Sequence, residues 1–334
     1  SELYVTLEPC CHHGKTPACS HLIVQSGIKK IYTPIHDPNP KVCGNGIQDI
    51  IDAGLEAEIV DEYHESAYDL LRPFFKSIIN KRTYIVHKCA VTLDGKIATH
   101  SYDSKWISND YSRYIVHKLR TKVDAIIIGK NTLIQDNPTL NVRLDSFGKE
   151  VQKNINKDAN KIGKNNFFVD SLLFKNIVTA RNPLRVIIGV PDGLHKDMNI
   201  FFDDNFLFFD KQKEVENLSS KNTYINDLIA KEKIIAINTD DNIVMIDEML
   251  KCLYNKGIMY GLLEGGSRLA GSFFESGHID QYFYTIAPKV LGSGISPLNG
   301  IDKLQMDESK ELKQVSIYLI RDDMIYSAYT KNRE

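Results

Sequence analysis

The hydrophobic and polar positions of the chain fall into short strand-like runs separated by helical spacings. LYVTL, near the start, is a β-rich run that stops at Glu8-Pro9, where proline removes a backbone donor. CSHLIVQSG then has apolar spacing suited to a helix ending at Gly27. KKIYTPI reads as a strand, IQDIIDAG as a helix ending at Gly54, and LEAEIV as a third strand. This alternation predicts a parallel α/β sheet. A polar helical stretch from about 61 to 80 follows, with Tyr68, Leu71 and Phe74 on one face, and a new strand pattern opens at Thr83. The pattern therefore predicts two domains, 1–82 and 83–334, and 334 residues exceed what one hydrophobic core usually organises.

In the second part, TYIVHKCAVTLDG reads as a long strand ending in an Asp-Gly turn, DYSRYIVHKLRTK as an amphipathic helix, and VDAIIIG as a buried strand. RVIIG, KIIAIN and GIMYGLLEGG read as further core strands and SRLAGSFFESG as a helix with glycines at both ends. DQYFYTIAPKVLG, VSIYLI and MIYSAY read as closing strands. The Lys- and Asn-rich stretch 145–182 is expected to be an inserted surface loop that buries little, its charges a solvated face. There is no internal repeat.

Composition narrows the function classes. With 43% apolar and 25% charged residues and a formal net charge of -2, the chain lacks the basic excess that phosphate backbones require, so no nucleic-acid partner is expected. No apolar run approaches the roughly 20 residues that span a bilayer. The opening is not a basic segment leading into a hydrophobic one, so no membrane partner and a cytoplasmic location are expected. Six cysteines are too few for a disulfide scaffold, and Cys43, Cys89 and Cys252 read as small buried hydrophobes. Cys10, Cys11 and Cys19, beside His12 and His13, read instead as a metal site.

Cys10 follows Pro9 directly and Cys19 opens the first predicted helix, so both thiolates can face one point, where a helix start favours negative charge. Zinc deaminases hold their metal with two cysteines and a His or third Cys, activate a bound water, and move protons with a Glu outside the metal shell. The His and Glu come from an H-x-E segment upstream of the cysteines, and no such segment occurs here in a usable place.

PCCHHGKTPAC followed by HDPNP resembles the deaminase half of the bifunctional riboflavin-biosynthesis deaminase/reductase family. The resemblance implies zinc (Zn²⁺) at Cys10 and Cys19 and a substrate pocket including Lys15, Asp37 and Asn39. Cys11, His12 and His13 are then pocket or packing residues. It also implies a partial cytidine-deaminase-like three-layer αβα domain followed by a dihydrofolate-reductase-like α/β domain. The Ser1-Glu2-Leu3 start is expected to fall inside a domain, the sequence being an N-terminally truncated fragment; the other reading is a chain that has lost deamination. Either way, deamination is expected to be absent or very weak.

Four further blocks carry the resemblance through the second half: KCAVTLDGKIA, SKWIS, IIIGKNTLIQDNPTLNVR, and LLEGGSRLAGSFFESG with DQYFYTIAPKVLG. They imply NADPH bound by Ala90, Trp106, Thr132, Asp136 and the stretch Gly266, Ser267, Arg268, Leu269, Ala270, Gly271 and Ser272. They imply a ribosylaminopyrimidine 5'-phosphate, a small phosphorylated pyrimidine, bound by Ser104, Arg120, Leu140, Arg143 and Glu264. Lys88, Asp136 and Glu264 would line the reacting centre, with Asp136 or Lys88 assisting proton transfer as hydride reaches C1'. Read without the resemblance, EGGSRLAG can bring backbone amides to a phosphate but serves equally as a tight connection. Trp106 can be core, and Arg120 can be a surface ion pair. Arginine's planar fork nonetheless suits Arg120 and Arg143 to a phosphate. Gly189-Val190-Pro191 stands where the family often has a polar LDS, which puts that cofactor contact in doubt. The family's assembly implies a homo-oligomer. Two other readings stay open: a reductase with a scaffolding front domain, and a nucleic-acid-editing deaminase, which leaves everything after residue 83 unexplained.

Overall fold

The computed structural model describes residues 1–14, 16–155, 159–163, 169, 170, 172, 181–301 and 305–331. They form two compact units, Ser1–Lys81 and Arg82–Glu334.

In the first unit, strands β1 (Glu2–Tyr4), β2 (Lys30–Thr33) and β3 (Glu56–Ile59) pair in parallel in that order. Helices α1 (Cys19–Gln25) and α2 (Asn45–Asp52) make the crossovers, and Ile23, Ile31 and Ile50 close a small core between helices and sheet. A longer helix, α3 (His64–Asn80), packs Ala67 and Phe75 against Ile35.

Among the described residues, the second unit has a ten-stranded sheet in the order β6-β12-β13-β11-β4-β10-β5-β7-β8-β9. Its strands are β4 (Tyr84–Thr92), β5 (Ala125–Gly129), β6 (Ala159–Gly163), β7 (Leu184–Ile188), β8 (Phe206–Lys211), β9 (Ile234–Ile237), β10 (Tyr260–Leu263), β11 (Gln281–Ala287), β12 (Leu312–Ile320) and β13 (Asp323–Thr330). From β11 to β9 neighbouring strands are parallel, while β13, β12 and β6 add on antiparallel at one side. The helices are α4 (Asp110–Arg120), α5 (Lys130–Asp136), α6 (Lys149–Asn154), α7 (Gln212–Ser219), α8 (Thr223–Ala230), α9 (Asn242–Asn255) and α10 (Ser267–Glu275).

The unbroken apolar runs AIII, RVII and LFF have a simple cause: successive side chains of a strand point to opposite faces, and here both faces are buried. Ile126, Ile128, Ile187, Phe208 and Leu262 meet α4, α5, α7 and α8 through Ile115, Leu119, Leu133, Val215 and Leu228 on one face. Ile127, Val186, Phe209 and Leu263 meet α9 and α10 through Met249, Leu250, Ala270 and Phe273 on the other.

The Lys/Asn-rich stretch departs from its expectation as a loop that buries little. Within it, α6 forms and β6 pairs antiparallel with β12, while Ile155, Val169 and Leu172 are buried in the first core. Ile155, Val169 and Leu172 reach the core while Lys149 and Lys153 stay exposed, and composition alone hides that spacing. The rest of the stretch lies outside the described residues.

Because Leu262 is fully buried in a central strand, Leu262→Ala should lower the stability of the second unit by about 2–5 kcal/mol, read from the midpoint of chemical denaturation. A midpoint shift worth less than about 0.5 kcal/mol would contradict this placement of the core.

Candidate active site

In the first unit the strand-ending Glu8 is the organising residue. Its buried carboxylate accepts the backbone N–H groups of Asp37, Gly44, Gly46 and Ile47 at 3.0–3.2 Å, and meets His36 Nδ1 at 3.0 Å. Burial pushes its pKa up, but the Gly44 amide, the His36 ring and the other amides outweigh that and hold it below the usual range. The HDPNP loop is thereby tied to the cysteine loop. Asp37 is buried on it and accepts the Asn39 N–H at 2.8 Å, and Asn39 in turn accepts the Lys41 N–H at 3.1 Å. Lys15 lies outside the described residues.

Cys10 and Cys19 come together as their spacing suggested, with the Cys19 N–H 3.4 Å from Cys10 Sγ. The Cys10 side chain, and then burial, push the Cys19 thiol up, against the lowering expected of a helix start. Cys11 Sγ faces the Lys41 carbonyl at 3.3 Å, and His13 Nδ1 lies 3.2 Å from the Gly14 carbonyl, so neither joins the pair. Among the described residues no group of three His, Cys, Asp or Glu side chains is placed to hold a metal ion. Two thiols fall one short of the three protein ligands that a catalytic zinc site uses, so the described residues do not fit zinc by themselves.

The second unit carries a crevice with a topological cause. The chain leaves β5 into α5 on one face of the sheet and leaves the adjacent β10 into α10 on the other. The two helix starts therefore diverge, and a gap opens outside the carboxyl ends of the strands, where parallel α/β sheets bind ligands. A cavity of about 590 Å³ fills it. Thr132 and Asp136 of α5 and Ser104 line it, as do Gly266, Ser267, Arg268, Leu269 and Ser272 at the start of α10. At the head of α10, the N-cap Gly266 supplies no side-chain cap, which leaves first-turn amides available to a ligand. Gly271 is required by packing, since a Cβ there would stand 2.0 Å from the Asn299 carbonyl oxygen. Ala270 is buried in the core, so these two residues shape the α10 start from behind.

Beside the glycine turn sits a compact charged cluster. Glu264, which follows β10 directly, takes a two-pronged contact from Arg120, Nε to Oε1 at 3.0 Å and Nη2 to Oε2 at 2.8 Å. Arg120 Nη1 also donates to the Asn141 carbonyl at 3.0 Å, so its guanidinium is fully committed within the chain. Burial pushes the Glu264 pKa up, and the Arg120 charge and hydrogen bonds, with help from Lys88, more than reverse this and hold it at about 2. The site therefore keeps a carboxylate at every working pH. One turn before Arg120 on α4, His117 accepts the Arg143 N–H on Nδ1 at 3.0 Å. Burial, then Arg120 and Arg143, lower its pKa to about 3, so its ring is neutral.

Not every expected position reaches the cavity. Leu140 is buried in the core, Ala90 lies within β4, and Trp106 is 63% exposed with the Arg113 guanidinium 4.4 Å above its ring. Conversely, sequence reading missed His117, and it missed Lys130, Ile188, Asn242, Met245 and Ile246 of the cavity wall. A basic residue directly after the strand AIIIG was a signal for Lys130. Nothing local marked the start of α9 as cavity wall, because it reaches the crevice only through the strand order.

The folded-state Glu264 pKa lies below the ordinary 4.5, so its pairing stabilises the fold above that pH and loses its effect as the pH falls toward about 2. The stability gap between the parent and Glu264→Gln should accordingly shrink as acid denaturation curves are taken from pH 6 to pH 2, on the order of the pKa range given. A constant gap would mean that the Arg120 contact does not govern this carboxylate.

Comparison with known proteins bears on the same regions. The family model described as the RibD C-terminal domain matches residues 83–326. The riboflavin biosynthesis protein RibD of Actinobacillus pleuropneumoniae is 34% identical over 325 residues, 96% of this chain and 76% of that protein. The RibD of Aquifex aeolicus is 31% identical over 97% of this chain and 79% of its own length. Among solved structures, Acinetobacter baumannii RibD superposes with a TM-score of 0.75 at 26% identity, covering 98% of this chain and 80% of that one. A diaminohydroxyphosphoribosylaminopyrimidine deaminase/5-amino-6-(5-phosphoribosylamino)uracil reductase from Thermotoga maritima superposes with a TM-score of 0.72 at 28% identity, over 98% and 79% of the two chains. With its second unit matched by the family model and nearly its whole length aligned to these relatives, the chain belongs to the RibD family of riboflavin biosynthesis proteins.

Proposed function

We propose that the second unit reduces the ribosyl group of 5-amino-6-(5-phosphoribosylamino)uracil to ribityl at the expense of NADPH. The observation that carries this reading is the crevice between α5 and α10, with the unblocked amides of α10 on its wall and the Arg120-paired Glu264 two residues before the lining residue Gly266. Gly266, Ser267, Arg268 and Ser272 would hold the cofactor's pyrophosphate, and Thr132 and Asp136 would face it from α5. When bound, NADPH supplies the hydride that C1' receives.

The chain's own groups divide the remaining work. Arg120 is spent on Glu264, so it orients that carboxylate toward the sugar hydroxyls, while the exposed Arg143, its backbone pinned by His117, takes the 5'-phosphate together with Ser104. Lys88 stands one position after His87, the partner of Leu263 in the β4–β10 ladder, and so beside Glu264. Either Lys88 or Asp136 moves the proton that accompanies opening of the sugar ring.

For the first unit the Cys10–Cys19 pair with no third ligand among the described residues favours a front unit that does not deaminate on its own. Asp37, Asn39 and Lys15 would then belong to a pyrimidine pocket without its reacting metal.

Two measurements test these assignments. Oxidation of NADPH followed optically with 5-amino-6-(5-phosphoribosylamino)uracil should show turnover. Asp136→Asn should lower kcat by about a hundredfold while the Kd for NADPH changes by no more than about threefold; unchanged kcat removes Asp136 from the proton path and leaves it to Lys88. In the same preparation with zinc added, release of ammonia from the diaminopyrimidinone precursor should be undetectable. Ammonia release keeping pace with NADPH oxidation would show that the front unit completes a working site.

A further inference from the structure

The cavity is chemically uneven along its length. Thr132, Gln135 and Asp136 of α5 make one part of its wall polar, while Ile97, Ala98 and Ile295 make another part apolar. A second apolar part of the wall is Ile188 at the close of β7 with Met245 and Ile246 of α9. An apolar slot of this kind suits a flat heteroaromatic base. A cation, Lys130, stands beside the slot at the head of α5.

Two features set Lys130 apart from an ordinary surface lysine. Its stem lies across Gly189, the residue after β7, where a Cβ would stand 2.8 Å from Lys130 Cδ and 3.1 Å from Cγ. Gly189 has φ +84°, so both the backbone conformation and the space exclude a side chain, and the lysine is laid over the strand end toward the slot. Its ammonium also makes no hydrogen bond or ion pair among the described residues.

Three acids at that end of the sheet are engaged elsewhere. Asp210 is buried and accepts the Val190 and Lys211 N–H groups at 2.7 and 2.8 Å. Asp241 caps α9 by accepting the Ile243 N–H at 2.6 Å, and Asp240 pairs with Lys213 at 2.6 Å. A dinucleotide site that favours an unphosphorylated ribose presents a carboxylate to the 2'-hydroxyl, whereas one that favours a 2'-phosphate presents a cation. Here Asp210, Asp240 and Asp241 are tied down, while the Lys130 ammonium has no partner among the described residues.

We propose that Lys130 is the residue that selects a 2'-phosphorylated dinucleotide over its unphosphorylated counterpart, with Gly189 as the glycine that lets its side chain lie beside the base slot. This rests on the cofactor reading given above. With the pyrophosphate at the α10 amides and the base in the Ile188–Met245–Ile246 slot, the ribose that joins them falls next to Lys130. Arg268, on the glycine turn itself, serves the pyrophosphate common to both dinucleotides.

Titration calorimetry with four probes tests the proposal without any turnover: NADPH, NADH, and the half-molecules 2',5'-ADP and 5'-AMP. Lys130 is exposed, so Lys130→Met keeps the stem and removes only the charge. It should weaken NADPH and 2',5'-ADP about tenfold to a hundredfold, the loss expected for one charged hydrogen bond, and leave NADH and 5'-AMP within about threefold. Lys130→Arg should retain the preference, and Arg268→Met should weaken NADPH and NADH alike. Equal losses for both dinucleotides in Lys130→Met, no loss at all, or a selective loss in Arg268→Met would each overturn the assignment. Failure of the unaltered chain to bind either dinucleotide would instead overturn the cofactor reading, and this assignment with it.

Discussion

The parallel strands of the second unit must bury both faces, and the rest of the molecule's chemistry follows from that demand. A strand such as AIIIG has no solvent side, so helices have to cover the sheet above and below, and the chain has to change faces somewhere. It does so between β5 and β10, which are neighbours in the sheet but far apart in sequence. The gap left by that change is the cavity, and its position at the carboxyl ends of the strands brings the glycine turn, α5 and the beginning of α9 to one place. The crevice is thus a by-product of covering the sheet.

Fixed charges complete it. Arg120 and Glu264 meet across a long stretch of sequence because α4 packs over the strand that ends at Leu263. A buried carboxylate without that partner would take up a proton; with it, the site holds a permanent negative charge beside the glycine turn. The same arrangement explains why Arg143 and not Arg120 remains open to an anion, although the sequence presents the two arginines as equals. In the first unit Glu8 plays a comparable part by a different means, holding two loops together chiefly through four backbone amides.

Much of this was legible beforehand because periodicity reports burial directly. The strand and helix alternation, the turn EGGSRLAG and the pairing of Cys10 with Cys19 all depend on residues close in sequence. The Lys/Asn-rich stretch misled because its composition is that of a solvated loop, while Ile155, Val169 and Leu172 are placed to enter the core. Glu8 could have been noticed as an acid at a strand end beside proline, but its five contacts come from residues 28 to 39 positions away.

What the sequence by itself determined is local: which segments become strands and helices, which glycines sit at turns, and which chemical groups are available. What only the tertiary structure decided is which of those groups meet. The strand order placed β10 between β4 and β5, and so brought Glu264 to Arg120, and it placed β7 beside β5, and so brought Lys130 over Gly189. Hydrophobic periodicity carries no information about strand order, because every central strand buried on both faces has the same pattern; the order is settled by how all the helices pack at once.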